Sequence, residues 1–347
     1  MICYLSRNYK EIESGGGKAK TDFERVMEAC GYRNVGRKQT RYRNTVVAFF
    51  CTLLSVLKGV CCLRRGDVLV LQYPLKKYYT FVCDMAHLRG CKVVTLIHDL
   101  GSFRRKKLTV GQEIARLDHS DALVIHNEAM RQWLTEHGIQ AKLRVVEIFD
   151  YLSDSLPHPS SRAPGQPYRV LFAGELSPRH NGFLYELANV PRSYQLVLYG
   201  KGLERDKLKA PVVAKGFVDP DQLIADPEGD FGLVWYGAGL KGGQGTGGEY
   251  LRYNAPHKLS LYLRCQLPAI IWDEAGQAPL VRRYGVGLCV ASLEELEEAL
   301  VRLTPEEYQA MKQNTVDISR KLSEGFFFSE AIRKACADVT PITEERG

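Results

Sequence analysis

Short apolar runs of five to seven residues alternate with helical patterns along the whole chain, and no other feature narrows the choice of fold as much. In the first half the runs are Ile2–Ser6, Asp67–Gln72, Lys92–His98, Asp121–His126 and Leu143–Glu147. In the second they are Tyr168–Ala173, Gln195–Tyr199, Val212–Phe217, Phe231–Trp235, Pro268–Trp272 and Gly287–Ala291. Strands separated by helices pair in parallel, and the helices cover both sheet faces. The expected class is α/β. Between the two sets, residues 152–167 hold four prolines and four serines and follow neither period. This composition marks a linker between a first domain, 1–151, and a second that begins at 168. At 347 residues the chain has room for both domains, each with its own core.

Composition removes the other classes. With 45% hydrophobic and 25% charged residues the chain is neither collagenous, coiled-coil nor disordered. The opening Met-Ile-Cys-Tyr-Leu-Ser-Arg-Asn has no basic segment ahead of an apolar stretch, so a cytoplasmic location is expected. Ten cysteines are scattered without a Cys-x-x-Cys, which reads as reduced thiols with no disulfide and no zinc site.

Charge is unevenly divided. Residues 1–150 hold 25 Lys and Arg against 15 Asp and Glu, while residues 151–347 hold 22 against 25. A basic first half suggests an anionic partner: nucleic acid, an anionic membrane surface or a phosphorylated substrate. Nucleic acid is disfavoured, because no basic strand interleaved with aromatics occurs. Asn44–Leu63 has one charge, Lys58, and is just long enough to reach across a bilayer. Val46, Val47, Phe49, Phe50, Leu53, Leu54, Leu57 and Val60 recur at helical spacing, however, so an amphipathic helix with that stripe in the core is expected. Its flanks are basic (Arg33, Arg37, Lys38, Arg41, Arg43, Arg64, Arg65), and Arg104-Arg105-Lys106-Lys107 forms a second cationic cluster suited to anionic lipid.

Four places could carry chemistry. Gly15, Gly16, Gly17 and Lys18 stand between a strand and a helix, where a backbone can approach an anion, but the spacing is not that of a Walker loop. His98 and Asp99 end a strand and are candidate general bases. Arg179, after the first strand of the second domain, would reach a phosphate as a forked donor. The densest signal is residues 237–260. Seven glycines among residues 237–248 suggest a mobile loop, followed by Tyr250, Tyr253, Asn254, His257 and Lys258 at a helix starting near Pro256. A lysine beside the free N–H groups of a helix start suits a diphosphate, and the tyrosines and Asn254 suit a sugar or nucleoside. Asp219-Pro-Asp221 reads as a helix cap rather than a metal site, and no metal is expected.

Taken in order, Ser14–Ala19, Gly66–Pro74, Leu96–Asp99, Asp121–Asn127, Phe231–Trp235, Glu249–Leu263, Leu267–Trp272 and Gly325–Phe328 resemble bacterial sugar transferases. The types are the β-1,6-galactofuranosyltransferases and the glucosyltransferase that extends N-acetylglucosamine on streptococcal serine-rich adhesins. The resemblance implies a GT-B architecture: two Rossmann-like domains facing across a cleft, with residues 319–347 crossing back to the first domain and 168–318 forming the nucleotide-sugar domain. It further implies a UDP-sugar donor, no metal or other cofactor, and a glycan, lipid-linked or glycoprotein acceptor. Carried over by position, Arg179 and Lys258 hold the diphosphate, with Tyr253, Asn254 and His257 nearby. The chain departs from the pattern at Arg264-Cys-Gln-Leu-Pro268, where relatives carry small residues and a glycine. Asp99 or His98 would serve as base in an inverting reaction, and a retaining one needs no such base. A non-catalytic nucleotide- or glycan-binding subunit of a polysaccharide assembly complex is the competing reading. Donor sugar and homo-oligomeric state are left open.

Overall fold

The computed structural model describes residues 1–9, 15–104, 108–158 and 167–340. The chain divides into two compact units, Met1–Asp150 with Gly325–Gly347 and Tyr151–Glu324.

In the first unit, β1 (Ile2–Tyr4), β2 (Arg33–Asn34), β3 (Val68–Tyr73), β4 (Lys92–Ile97), β5 (Ala122–Ile125) and β6 (Lys142–Val145) form one parallel sheet in the order β2-β1-β3-β4-β5-β6. Every residue of β3 is buried, because helices cover both faces of a parallel sheet. The two-residue β2 escaped the sequence reading: Arg33-Asn34 has no apolar run to announce it. The second unit holds β7 (Arg169–Glu175), β8 (Gln195–Lys201), β9 (Val213–Gly216), β10 (Phe231–Val234), β11 (Ala269–Trp272) and β12 (Gly287–Val290), again all parallel. Their order, β12-β11-β10-β7-β8-β9, reverses direction between β7 and β10. Both sheets are Rossmann-like.

At Gly325 the chain leaves one unit for the other. The Pro305–Glu324 helix packs on the His257–Arg264 helix of the second unit, whereas the Phe326–Val339 helix packs on β4, β5 and β6 of the first. Gly325 adopts φ 73°, and a Cβ there would lie 2.4 Å from Val26, so glycine is needed at the break. The returning helix is capped by the buried Asp150 carboxylate, which accepts from the Phe327 and Phe328 amides at 3.2 and 2.6 Å. Burial pushes the Asp150 carboxyl up to about 8. Two Rossmann-like units with a C-terminal helix returned to the first are the GT-B class.

Arg264, where the sequence departs from the pattern that the resemblance implies, is fully buried and all of its donors are used. Its guanidinium donates to the carbonyls of Tyr151, Ser153, Ser155 and Ser319 and to the Ser319 hydroxyl, at 2.7–3.3 Å. The start of the linker is thereby stitched to the second unit.

The Thr45–Cys62 helix corrects the sequence reading. Its bulky stripe faces outward: Val46 is 63% exposed, Phe50 54%, Leu54 46% and Leu57 46%, with Val47 and Phe49 also exposed. The face turned to the domain is mostly small, Ala48, Ser55, Val56 and Gly59, joined by Val60, the one member of the expected stripe that is buried. Close approach explains the choice. A Cβ on Gly59 would lie 2.7 Å from Leu5, and Ser55 Oγ donates to the Ser6 carbonyl while accepting from the Arg37 amide.

Candidate active site

The His257–Arg264 helix follows the glycine-rich segment, with Pro256 itself in the cap position (φ −69°, ψ 128°) rather than Asn254 or Ala255. Lys258 is its second residue, and the side chain turns back to the carboxyl end of β7. Its ammonium lies 3.7 Å from the centroid of the Phe172 ring and 4.6 Å from that of Tyr236. Gly174, at φ 154°, leaves the space it occupies: a Cβ there would stand 3.0 Å from both Cε and Nζ of Lys258. Phe172 and Gly174 belong to β7 and Tyr236 follows β10. Lys258 therefore sits where the strand order reverses, the crevice in which open α/β sheets bind ligands.

Among the described residues Lys258 has no hydrogen bond and no ion pair. Lys258 is half-buried, its ammonium held against the two ring faces, and desolvation pushes its pKa down to about 7. Two aromatic faces offset part of the lost hydration.

Arg179 stands in the short Pro178–Asn181 helix just after β7, exposed and, among the described residues, without a hydrogen bond or ion pair. The neighbouring His180 is held by Glu175 at 2.8 Å. Tyr250 is buried, and Tyr253 and Asn254 follow it as half-buried residues whose amides bond the Tyr250 carbonyl. The His257 ring lies against Tyr151, with centroids 4.8 Å apart. The glycine-rich segment is less open than its composition suggested. It includes the Gly245–Tyr250 helix, and a Cβ on Gly242 or Gly243 would lie 2.0 or 2.7 Å from the Trp272 ring, so these glycines serve close packing. Asp219 is a helix cap, accepting from the Asp221 amide at 2.9 Å.

The first-domain candidates are distributed differently. Gly16, Gly17 and Lys18 form the opening turn of the Gly15–Ala29 helix rather than a loop, and Lys18 is paired with Asp22 at 2.9 Å. His98 is drawn into the core: Nε2 meets Gln72 Oε1 at 2.7 Å, and the ring lies near Phe23 and Phe149. Gln72 in turn donates to the Tyr9 hydroxyl (2.9 Å), which donates to Glu24 (2.6 Å), whose carboxyl burial pushes up to about 7. Asp99 is half-buried. The Arg104–Lys107 cluster falls outside the described residues, apart from the Arg104 backbone.

Phe172, Gly174 and Tyr236 were not singled out from the sequence as partners of Lys258. The available signal was their place at the carboxyl ends of strands, but the strand order that makes β7 and β10 neighbours is not written in either segment.

Residues 2–148 match the N-terminal domain model of the glucosyltransferase 3-like family, and residues 170–335 match its C-terminal domain model. The chain is 29% identical over 326 residues to the β-1,6-galactofuranosyltransferase WbbI of Escherichia coli (strain K12), covering 93% of this chain and 95% of the relative. It is 28% identical over 281 residues to glucosyltransferase 3 of Streptococcus gordonii, with 79% and 80% covered. Glucosyltransferase 3 of Streptococcus parasanguinis is 23% identical over 355 residues, with 97% and 100% covered. With both domains matched in order and full-length relatives of the same kind, the chain belongs to the glucosyltransferase 3-like family of glycosyltransferases.

Proposed function

We propose that the enzyme transfers a hexose, galactofuranose or glucose as in the names of its relatives, from a UDP-sugar to a glycan, lipid-linked or glycoprotein hydroxyl, without a metal ion. The observation that carries this reading is the Lys258 ammonium, held against two aromatic rings at the strand-order reversal of the second sheet and, among the described residues, without an anionic partner. A diphosphate supplies the missing counter-charge. As the acceptor oxygen attacks the anomeric carbon, the bond from that carbon to the diphosphate oxygen breaks and negative charge grows on the leaving group. Lys258, Arg179 and the N–H groups at the helix start meet that charge already oriented, which lowers the barrier directly. In an inverting reaction the acceptor proton passes to Asp99.

The test is a thermal-shift panel of UDP, UDP-glucose, UDP-galactopyranose, UDP-galactofuranose, GDP-mannose and NADH, with and without EDTA. A ligand bound only by the native state raises the melting temperature by mass action. The uridine ligands are expected to stabilise the protein equally in EDTA. Loss of the UDP shift in EDTA removes the metal-independent reading, and a shift with NADH alone removes the donor assignment.

A further inference from the structure

We infer that the outward face of the Thr45–Cys62 helix is a docking surface for an anionic membrane, holding the first domain at the bilayer interface. The helix is long and apolar enough to span a bilayer by composition, yet its small-residue face is packed on the domain through Ser55, Val56 and Gly59. A helix bound along one side does not cross a membrane. It can lie in the interface plane and sink its other side into the acyl boundary. That other side offers Val46, Phe50, Leu54 and Leu57, with Tyr42 (53% exposed) at its start and Phe81 (44% exposed) on an adjoining helix. Apolar exposure on this scale is unusual for a surface facing only water.

Charge decides the occupant. Between Ala29 and Cys83 the chain carries ten Lys and Arg residues and a single acid, Asp67, which is paired with Arg33 at 2.8 Å. Several of these cations border the apolar face. Arg37, Lys38 and Lys58 line a cavity of about 520 Å³ together with Thr40 and Leu54, and Lys77 Nζ stands 4.5 Å from the Phe49 ring centroid. A second copy of the same face would bring like charges together with no acid to receive them. A sheet of lipid phosphates receives them all, each basic residue near such a surface adding about a fivefold step in affinity. This inference is independent of the donor reading.

Co-sedimentation with vesicles separates the outcomes. The full-length protein is expected to bind phosphatidylglycerol-containing vesicles and to bind pure phosphatidylcholine vesicles about tenfold more weakly or worse. Phe50→Glu combined with Leu54→Glu should abolish binding to both. Arg37→Gln with Lys38→Gln and Arg41→Gln should abolish the preference for anionic lipid. A melting temperature and circular dichroism spectrum like those of the wild type show that each variant is folded. Absence of wild-type binding, or unaltered sedimentation of the Glu variant, overturns the inference. So does a wild-type dimer in analytical ultracentrifugation that the Glu variant dissolves, since the face would then belong to a second copy.

Discussion

Lys258 and Arg264 are cations on one eight-residue helix of the second domain, one half-buried and the other fully buried, and they are treated in opposite ways. Arg264 donates to five oxygen acceptors and holds the segment 151–155 to its domain. Lys258 has two aromatic rings and no acceptor among the described residues. Burial alone therefore says little about what a charge is for. A satisfied cation is structural, whereas a desolvated cation that has no acceptor among the described residues is the feature on which the proposed donor site rests.

Replacing each residue in turn should break the comparison apart. Arg264→Ala leaves the carbonyls of Tyr151, Ser153, Ser155 and Ser319 without their donor. A buried acceptor without a partner costs about 1–3 kcal/mol, so a loss of about 3–5 kcal/mol in urea unfolding of the second domain is expected. A loss below about 1 kcal/mol would contradict the structural role. Lys258→Ala should do the reverse: a melting temperature equal to or above that of the wild type, with turnover down about 10²–10³-fold, or roughly 3–4 kcal/mol. Near-normal turnover in a folded Lys258→Ala protein would end the donor-site assignment.

A pH series sharpens the contrast with a smaller effect. The Lys258 pKa, about 7 in the fold, lies below its ordinary 10.5, so burial penalises the charged form. That penalty on stability is present in full below about pH 7 and fades as pH rises toward 10.5. Binding of UDP needs the charged form, and its affinity should fall with pH above 7, approaching about tenfold per unit. Calorimetry in buffers of different ionisation enthalpy should show proton uptake on binding at pH 8.5, which Lys258→Met abolishes. A flat affinity from pH 7 to 9 would mean that Lys258 does not face the ligand.

Much of this was written in the order of residues. Alternating runs determined two parallel α/β domains, because strand period and helix period are local properties of a few side chains. The capped helix start placed Lys258 near its first turn for the same reason. Three matters were settled only by the tertiary structure. Periodicity marks a stripe on Thr45–Cys62 but not which side packs, and here the small residues won because Leu5 and the Ser6 backbone lie too close for a bulky side chain. His98 and Asp99 are adjacent and either could serve as a base on paper, yet Gln72, 26 positions away, draws the histidine into the core. The role of Arg264 is not legible until the carbonyls of residues 151–155, more than a hundred positions earlier, come into reach. Each depends on a partner distant in sequence. What a side chain satisfies is decided by packing, whereas what it could satisfy was already fixed by its chemistry.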